Sequence, residues 1–131
     1  SAITRRLRPT VAGSSLTPSQ ISVLFTLVGR GPLRMTELAS VEAINPTMLS
    51  RIAARLSEMG LIVRVPDPLD RRAALVRATA AGKRMKALIQ SERTEALARH
   101  MRALPAAERE AVAAALPALE ALAEQVAGRG A

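Results

Sequence analysis

From Thr36 to Thr79 the chain reads as a short helix, a tight turn, a second helix, a strand, a proline-bracketed arginine loop and a returning strand. The second helix has the clearest borders. Asn45 is a good N-cap and Pro46 a good first helical residue. Leu49, Ile52, Ala53, Leu56 and Met59 follow on one side at helical spacing, and Gly60 ends the run. Thr47, Ser50, Arg51, Ala54 and Glu58 fall on the opposite side, with Arg55 at its edge. Next, Leu61 to Val65 alternates and is β-branched, as a strand requires, and Ala73 to Ala78 reads as its partner. Pro66 to Arg72 is expected to form an extended loop, unpaired at its two prolines. Two apolar-backed elements close together, each carrying arginine outside, point to a device that grips DNA in two places.

The flanks read as helix. Thr17-Pro18-Ser19-Gln20 carries a cap, a first-turn proline and the Gln of a capping box, with Leu16 and Ile21 placed as a hydrophobic staple. This helix shows Ile21, Leu24, Phe25 and Val28 on one face and stops at Gly29-Arg30-Gly31-Pro32. A short helix is expected from about Thr36 to Glu42, with Leu38 and Ala39 inward and Ala43-Ile44-Asn45 as the turn. Thr79 caps a long helix to about Leu104, with Met85, Leu88, Ile89, Leu97, Met101 and Leu104 on its apolar side. Pro105 opens a last helix on which Val112, Leu116, Leu119, Ala123 and Val126 step by four and three. Ser1 to Leu7 reads as the end of one more helix, broken by Arg8-Pro9.

Composition narrows the function. At 131 residues and 49% hydrophobic content the chain supports one core and is too short for two ordinary domains. Phe25 is the lone aromatic residue, so the core is aliphatic and alanine-rich, which favours helix. Nineteen basic against 11 acidic residues give +8, and the basic residues are nearly all arginine. Arginine's planar fork suits phosphates and guanine edges, and an excess of this size favours a polyanionic partner. No cysteine is present, which excludes disulfides, zinc–thiolate sites and thiol switches. The longest apolar run, Ala111 to Ala123, is interrupted by Pro117 and Glu120 and is too short to span a bilayer. No export signal opens the chain. No membrane role and a cytoplasmic location are the expectations.

A helix-turn-helix lays its second helix in the major groove, with N-terminal residues at the base edges. Here those residues are Thr47, Ser50 and Arg51, followed by Arg55 for bases or backbone. Arg72 is expected to enter an adjacent minor groove, where narrow A·T tracts attract guanidinium groups. Asp70, two residues earlier, is placed to hold that guanidinium. Arg71, Arg34 and Thr36 are candidate phosphate contacts. No catalytic constellation competes with this reading. His100 is the only histidine, no glycine loop fits a phosphate cradle, and Glu92, Glu95 and Glu120 read as solvated helix positions. Neither a cofactor nor a metal is expected, and the chain does not read as an enzyme.

The combined motifs resemble the MarR-type winged-helix transcriptional regulators. They are Leu16-Thr17-Pro18-Ser19-Gln20, Met35-Thr36-Glu37-Leu38-Ala39, Asn45-Pro46-Thr47-Met48-Leu49-Ser50-Arg51, Leu56-Ser57-Glu58-Met59-Gly60-Leu61-Ile62, Asp67-Pro68-Leu69-Asp70-Arg71-Arg72-Ala73 and Ala78-Thr79-Ala80-Ala81-Gly82. The resemblance implies a mostly α fold with a small β-hairpin wing. It divides the chain into a winged helix-turn-helix lobe over 16–82 and a helical dimerisation region over 1–15 and 83–127. It implies a homodimer whose recognition helices, Pro46 to Arg55, lie about 34 Å apart. Asp70 and Arg72 then carry the wing's Asp-x-Arg signature. The implied function is a repressor on a palindromic operator in double-stranded DNA, relieved by a small aromatic or phenolic anion. The competing expectation is a helical adaptor module whose basic surface meets an acidic partner.

Three departures from the family pattern carry expectations of their own. Ala43 stands where the family often has glycine, at a cost of roughly 1 kcal/mol if the backbone there is left-handed. Pro117 is expected to kink the last helix or cost about 3 kcal/mol. Without cysteine, regulation by a ligand is favoured over regulation by an oxidant.

Overall fold

The structure is a computed structural model that describes residues 16–129. The expected helix over Ser1 to Leu7 lies outside the described residues. Five helices and three short strands follow in the order α1 (Pro18–Arg30), β1 (Leu33–Arg34), α2 (Met35–Glu42), α3 (Pro46–Glu58), β2 (Ile62–Asp67), β3 (Asp70–Ala78), α4 (Ala80–Ala103) and α5 (Ala106–Arg129). The chain divides into two compact units, one through Arg93 and the other from Thr94.

The helix starts follow local capping chemistry. Thr17 accepts the Gln20 N–H at 3.2 Å while Gln20 Oε1 accepts the Thr17 N–H at 3.0 Å, completing a capping box at α1. Asn45 Oδ1 accepts the Met48 N–H at 2.8 Å, with Pro46 at the first position of α3. Thr79 accepts the Gly82 N–H at 3.0 Å to start α4 and donates its hydroxyl to the Gly60 carbonyl at 2.6 Å. The cap of α4 is thereby tied to the end of α3.

The core of the first unit collects Leu24, Leu27, Leu38, Leu49, Leu56 and Ile89, all essentially inaccessible, with Val23 and Val76 beside them. Aliphatic burial of this kind stabilises by about 2 kcal/mol per side chain. The unit reaches past residue 82 because Ile89 belongs to that core and Met85 packs against it. The buried face of α1 is Ile21, Val23, Leu24 and Leu27. This corrects the expected face, since Phe25 and Val28 are only half-buried.

The sheet has strand order β1-β3-β2, all antiparallel. The two-residue β1, pairing Leu33 with Val76 and Arg34 with Leu75, is too short to leave a period in the sequence. The expected loop over Pro66 to Arg72 is also corrected. Strand pairing continues through Pro66, opposite Ala74, and Asp67 faces Asp70, leaving only Pro68 and Leu69 in the turn. Proline lacks an N–H and is tolerated where a ladder is interrupted. The register shifts between Pro66 and Asp67, so Arg71, Arg72 and Ala73 form the bulged stretch of β3.

In the second unit, α5 runs from Ala106 to Arg129 with Pro117 inside it and no break in the helix. Proline removes one hydrogen bond there, and the released carbonyl lies on an exposed helix that water can reach. Val112, Leu116, Leu119, Leu122 and Val126, at helical spacing, are between 37% and 64% exposed.

Candidate nucleic-acid interface

Helix α2, a three-residue turn and helix α3 form the helix-turn-helix. The turn is closed by Ala43 in the left-handed region, at φ 54° and ψ 44°. Its N–H bonds the Ser40 carbonyl, and the Ile44 N–H bonds the Ala39 carbonyl, both at 3.2 Å. These are the paired bonds of a Schellman ending, which ordinarily selects glycine. The helix-turn-helix therefore keeps its backbone geometry without the glycine. Leu38 on α2 and Leu49 on α3 are buried on either side of the turn and hold it closed.

Burial of Leu49, Ile52, Ala53 and Leu56 turns the other face of α3 to solvent. Thr47, Ser50, Arg51 and Arg55 are all exposed there, as are Asn45 and Pro46 at its start. Arg55 Nη1 lies 3.5 Å from Glu58 Oε2, an exposed pair that contributes little and can exchange for a phosphate. Arg51 makes no ion pair among the described residues. Thr36 is exposed on the first turn of α2.

The wing is organised by a residue that the sequence reading passed over. Asp67 is 5% exposed. Its Oδ1 accepts the Leu69 N–H at 2.8 Å across the hairpin turn. Its Oδ2 accepts both Nε and Nη2 of Arg34, at 3.1 and 2.8 Å. Arg34 stands on β1 and Asp67 at the end of β2, so the pair reaches across the middle strand. The Leu69 N–H and the Arg34 guanidinium together hold the Asp67 carboxyl below the usual carboxylate range. The Asp67 hydrogen bond and charge correspondingly raise the Arg34 pKa. An Asp-Pro at a hairpin turn is a recognisable Asx-turn signal in sequence, whereas its arginine partner is not.

Arg34 was expected to meet phosphate. Its guanidinium is committed to Asp67 on one edge, and its side chain is 44% exposed. What remains to face an anion is the rest of the fork. The expectation that Asp70 holds the Arg72 guanidinium is corrected. Asp70 Oδ1 accepts the backbone N–H of Arg72 at 3.0 Å, so it shapes the main chain of the bulge. The side chains of Arg71 and Arg72 are exposed.

A second feature lies beside the helix-turn-helix. Pro18, Ile21, Ser22, Phe25, Thr26 and Arg93 line an open groove of about 460 Å³. Lys86 Nζ sits 5.3 Å and Arg93 Cζ 5.6 Å from the centre of the Phe25 ring. Both cations face the ring's π electrons, while the ring also packs against the edge of the core. Ser22 and Thr26 donate their hydroxyls to the two oxygens of Glu42, at 2.8 and 2.6 Å. Glu42 is the last residue of α2, next to the left-handed turn.

The geometry can be set beside known proteins. A family model described as the MarR family matches residues 16–74. A helix-turn-helix-type transcriptional regulator of Mycobacterium bovis is 31% identical over 123 residues, covering 94% of this chain and 86% of the relative. The chain belongs to the MarR family. Among solved structures, the YusO protein of Bacillus subtilis superposes on this MarR-family chain with a TM-score of 0.78 and 25% identity, over 91% of this chain and 84% of YusO. The transcriptional repressor MdtR of Bacillus subtilis is 31% identical over 75 residues, covering 54% of this chain and 48% of MdtR. This MarR-family protein is a DNA-binding transcriptional regulator rather than an enzyme. No described helix is long and apolar enough to cross a membrane.

Proposed function

We propose that the chain acts as a homodimeric repressor on a palindromic operator, with α3 in the major groove and the β2–β3 wing against an adjacent minor groove. The supporting observation is the pairing of two exposed arginine-bearing elements on one rigid lobe. One is the outer face of α3, with Thr47, Ser50 and Arg51 leading and Arg55 behind. The other is the bulge of β3, which carries the exposed Arg71 and Arg72; Asp70 fixes the Arg72 backbone, and the Arg34–Asp67 pair fixes the adjoining hairpin turn. Asn45 and Pro46 set the start of α3, and Thr36 and the remaining edge of Arg34 serve backbone phosphates. The exposed apolar row of α5 is the surface offered to a second copy, as part of a helical dimerisation region. Repression follows the repressor named among the relatives. The cytoplasm, where its operator lies, is the site of action.

Relief by a small aromatic or phenolic anion fits the groove beside α1. Arg93 and Lys86 offer charge, while Ile21, Pro18 and Phe25 offer apolar contact. An occupant competing for Ser22 or Thr26 loosens Glu42, and with it the end of α2 that sets the turn into α3. The ligand then favours a state that binds DNA less well, by its differential affinity for the two states.

Gel shifts on duplexes selected from a random pool, titrated with salt, test the DNA reading. Arg51→Ala is expected to lose roughly tenfold to hundredfold in affinity and to relax specificity. Arg72→Ala should weaken binding and lower the salt slope by about one. Sequence-blind, weakly salt-dependent association by the wild type would refute the proposal and favour the adaptor reading. Sedimentation of the wild type against Leu116→Glu tests the dimer.

A further inference from the structure

The solvent side of α3 is polar or small except at one position. Met48 stands 48% exposed in the first turn, although the aliphatic core begins at the next residue, Leu49. Its N–H is fixed by Asn45 Oδ1, so the turn that carries it is ordered rather than frayed. Three and seven residues further on, along the same helix ridge, come Arg51 and Arg55. A long apolar side chain beside two arginines at the leading end of a recognition helix has one apolar target in the major groove. That target is the thymine 5-methyl group, the apolar feature by which this groove distinguishes its bases. Methionine is unbranched and polarisable and adapts its rotamer to such a contact.

We propose that Met48 is a specificity-determining residue that reads the methyl group of a thymine in each half-site. Arg51 and Ser50 supply hydrogen bonds to neighbouring base edges, and Met48 supplies an apolar contact at the flank of α3, beside Arg51 and Arg55. This inference rests on the placement of α3 in the major groove and adds the base chemistry that the helix selects.

The test removes the methyl group from the DNA and the thioether from the protein. A preferred operator is first selected from a random duplex pool with the wild-type protein. Each thymine is then replaced singly by deoxyuridine, which keeps base pairing and deletes only the methyl group. Affinities are measured for the wild type, Met48→Ala and Met48→Leu. At one thymine per half-site the swap is expected to weaken wild-type binding about fourfold, the worth of burying one methyl group. Met48→Ala should be indifferent to that swap. Met48→Leu, which keeps an apolar side chain and good helix propensity, should retain most of the discrimination. A wild type indifferent to every swap, or a Met48→Ala protein that discriminates as the wild type does, overturns the assignment while leaving α3 in the groove. A wild type that selects no sequence overturns the major-groove placement and this assignment together.

Discussion

Two helix ends in this lobe provide a matched test of backbone strain. Helix α2 ends at Ala43 and helix α3 at Gly60, both in the left-handed region, with φ of 54° and 73°. Both ends carry the same pair of bonds. At Ala43 these run from Ala43 to Ser40 and from Ile44 to Ala39, and at Gly60 from Gly60 to Ser57 at 2.9 Å and from Leu61 to Leu56 at 3.0 Å. A side chain in this conformation costs about 1–2 kcal/mol, because Cβ crowds the following carbonyl. Glycine avoids that strain and gives back about 0.4–1 kcal/mol through the greater entropy of the unfolded chain. The difference predicts that Ala43→Gly stabilises the protein by about 0.5–1 kcal/mol. Gly60→Ala should destabilise it by a similar amount, since nothing lies within 4 Å of the added Cβ and strain acts alone. For a chain of 131 residues, 1 kcal/mol is roughly 3–5 °C in Tm. Calorimetry and urea titration at one fixed protein concentration provide the assay, because association would shift the midpoint. The two substitutions must move Tm in opposite directions. If Ala43→Gly lowered Tm, or both moved it the same way, the strain argument would fail.

Other outcomes follow from the same geometry. Gly82→Ala should destabilise by about 3 kcal/mol in urea unfolding, because the new Cβ collides with the Leu61 backbone carbonyl, which also accepts the Thr79 N–H. A loss below about 1 kcal/mol would mean that the junction between β2 and α4 adjusts freely. Asp67→Asn should weaken operator binding, because the wing loses its charged tie to Arg34, and should flatten the acid limb of stability. With its folded-state pKa depressed, Asp67 contributes stability fully above its unfolded value, about 3.9, and loses it as pH falls through the lower folded value. Thermal melts between about pH 6 and pH 2.5 should therefore fall less steeply for the variant than for the wild type. Pro117→Ala should raise Tm, by up to about 3 kcal/mol of stability, because it restores a hydrogen bond inside α5. An unchanged melt would show that the helix had already accommodated the ring.

Local chemistry was legible in the amino-acid sequence by itself. The boxes and caps at Thr17, Asn45 and Thr79 involve residues within four positions of one another, so the borders of α1, α3 and α4 could be read directly. The apolar rows of α2 and α3 fixed which face of α3 stays wet, and with it the exposure of Thr47, Ser50, Arg51 and Arg55. The motifs strung along helix, turn, helix and hairpin likewise carried the resemblance to the family to which the chain belongs. Tertiary structure decided whatever depends on partners far along the chain. Arg34 and Asp67 meet only because β3 lies between their strands, and no local period marks either as the other's partner. Phe25 sits at the edge of the core, with Lys86 and Arg93, both far along the chain, over its ring. Pairing carries β2 through Pro66, since β3 supplies enough neighbouring bonds to absorb one missing donor. Ala43 keeps a left-handed backbone because Leu38 and Leu49, buried on both sides of it, fix the helices that it joins. Short-range capping acts in any context, whereas pairing, burial and strain are set by the surrounding fold.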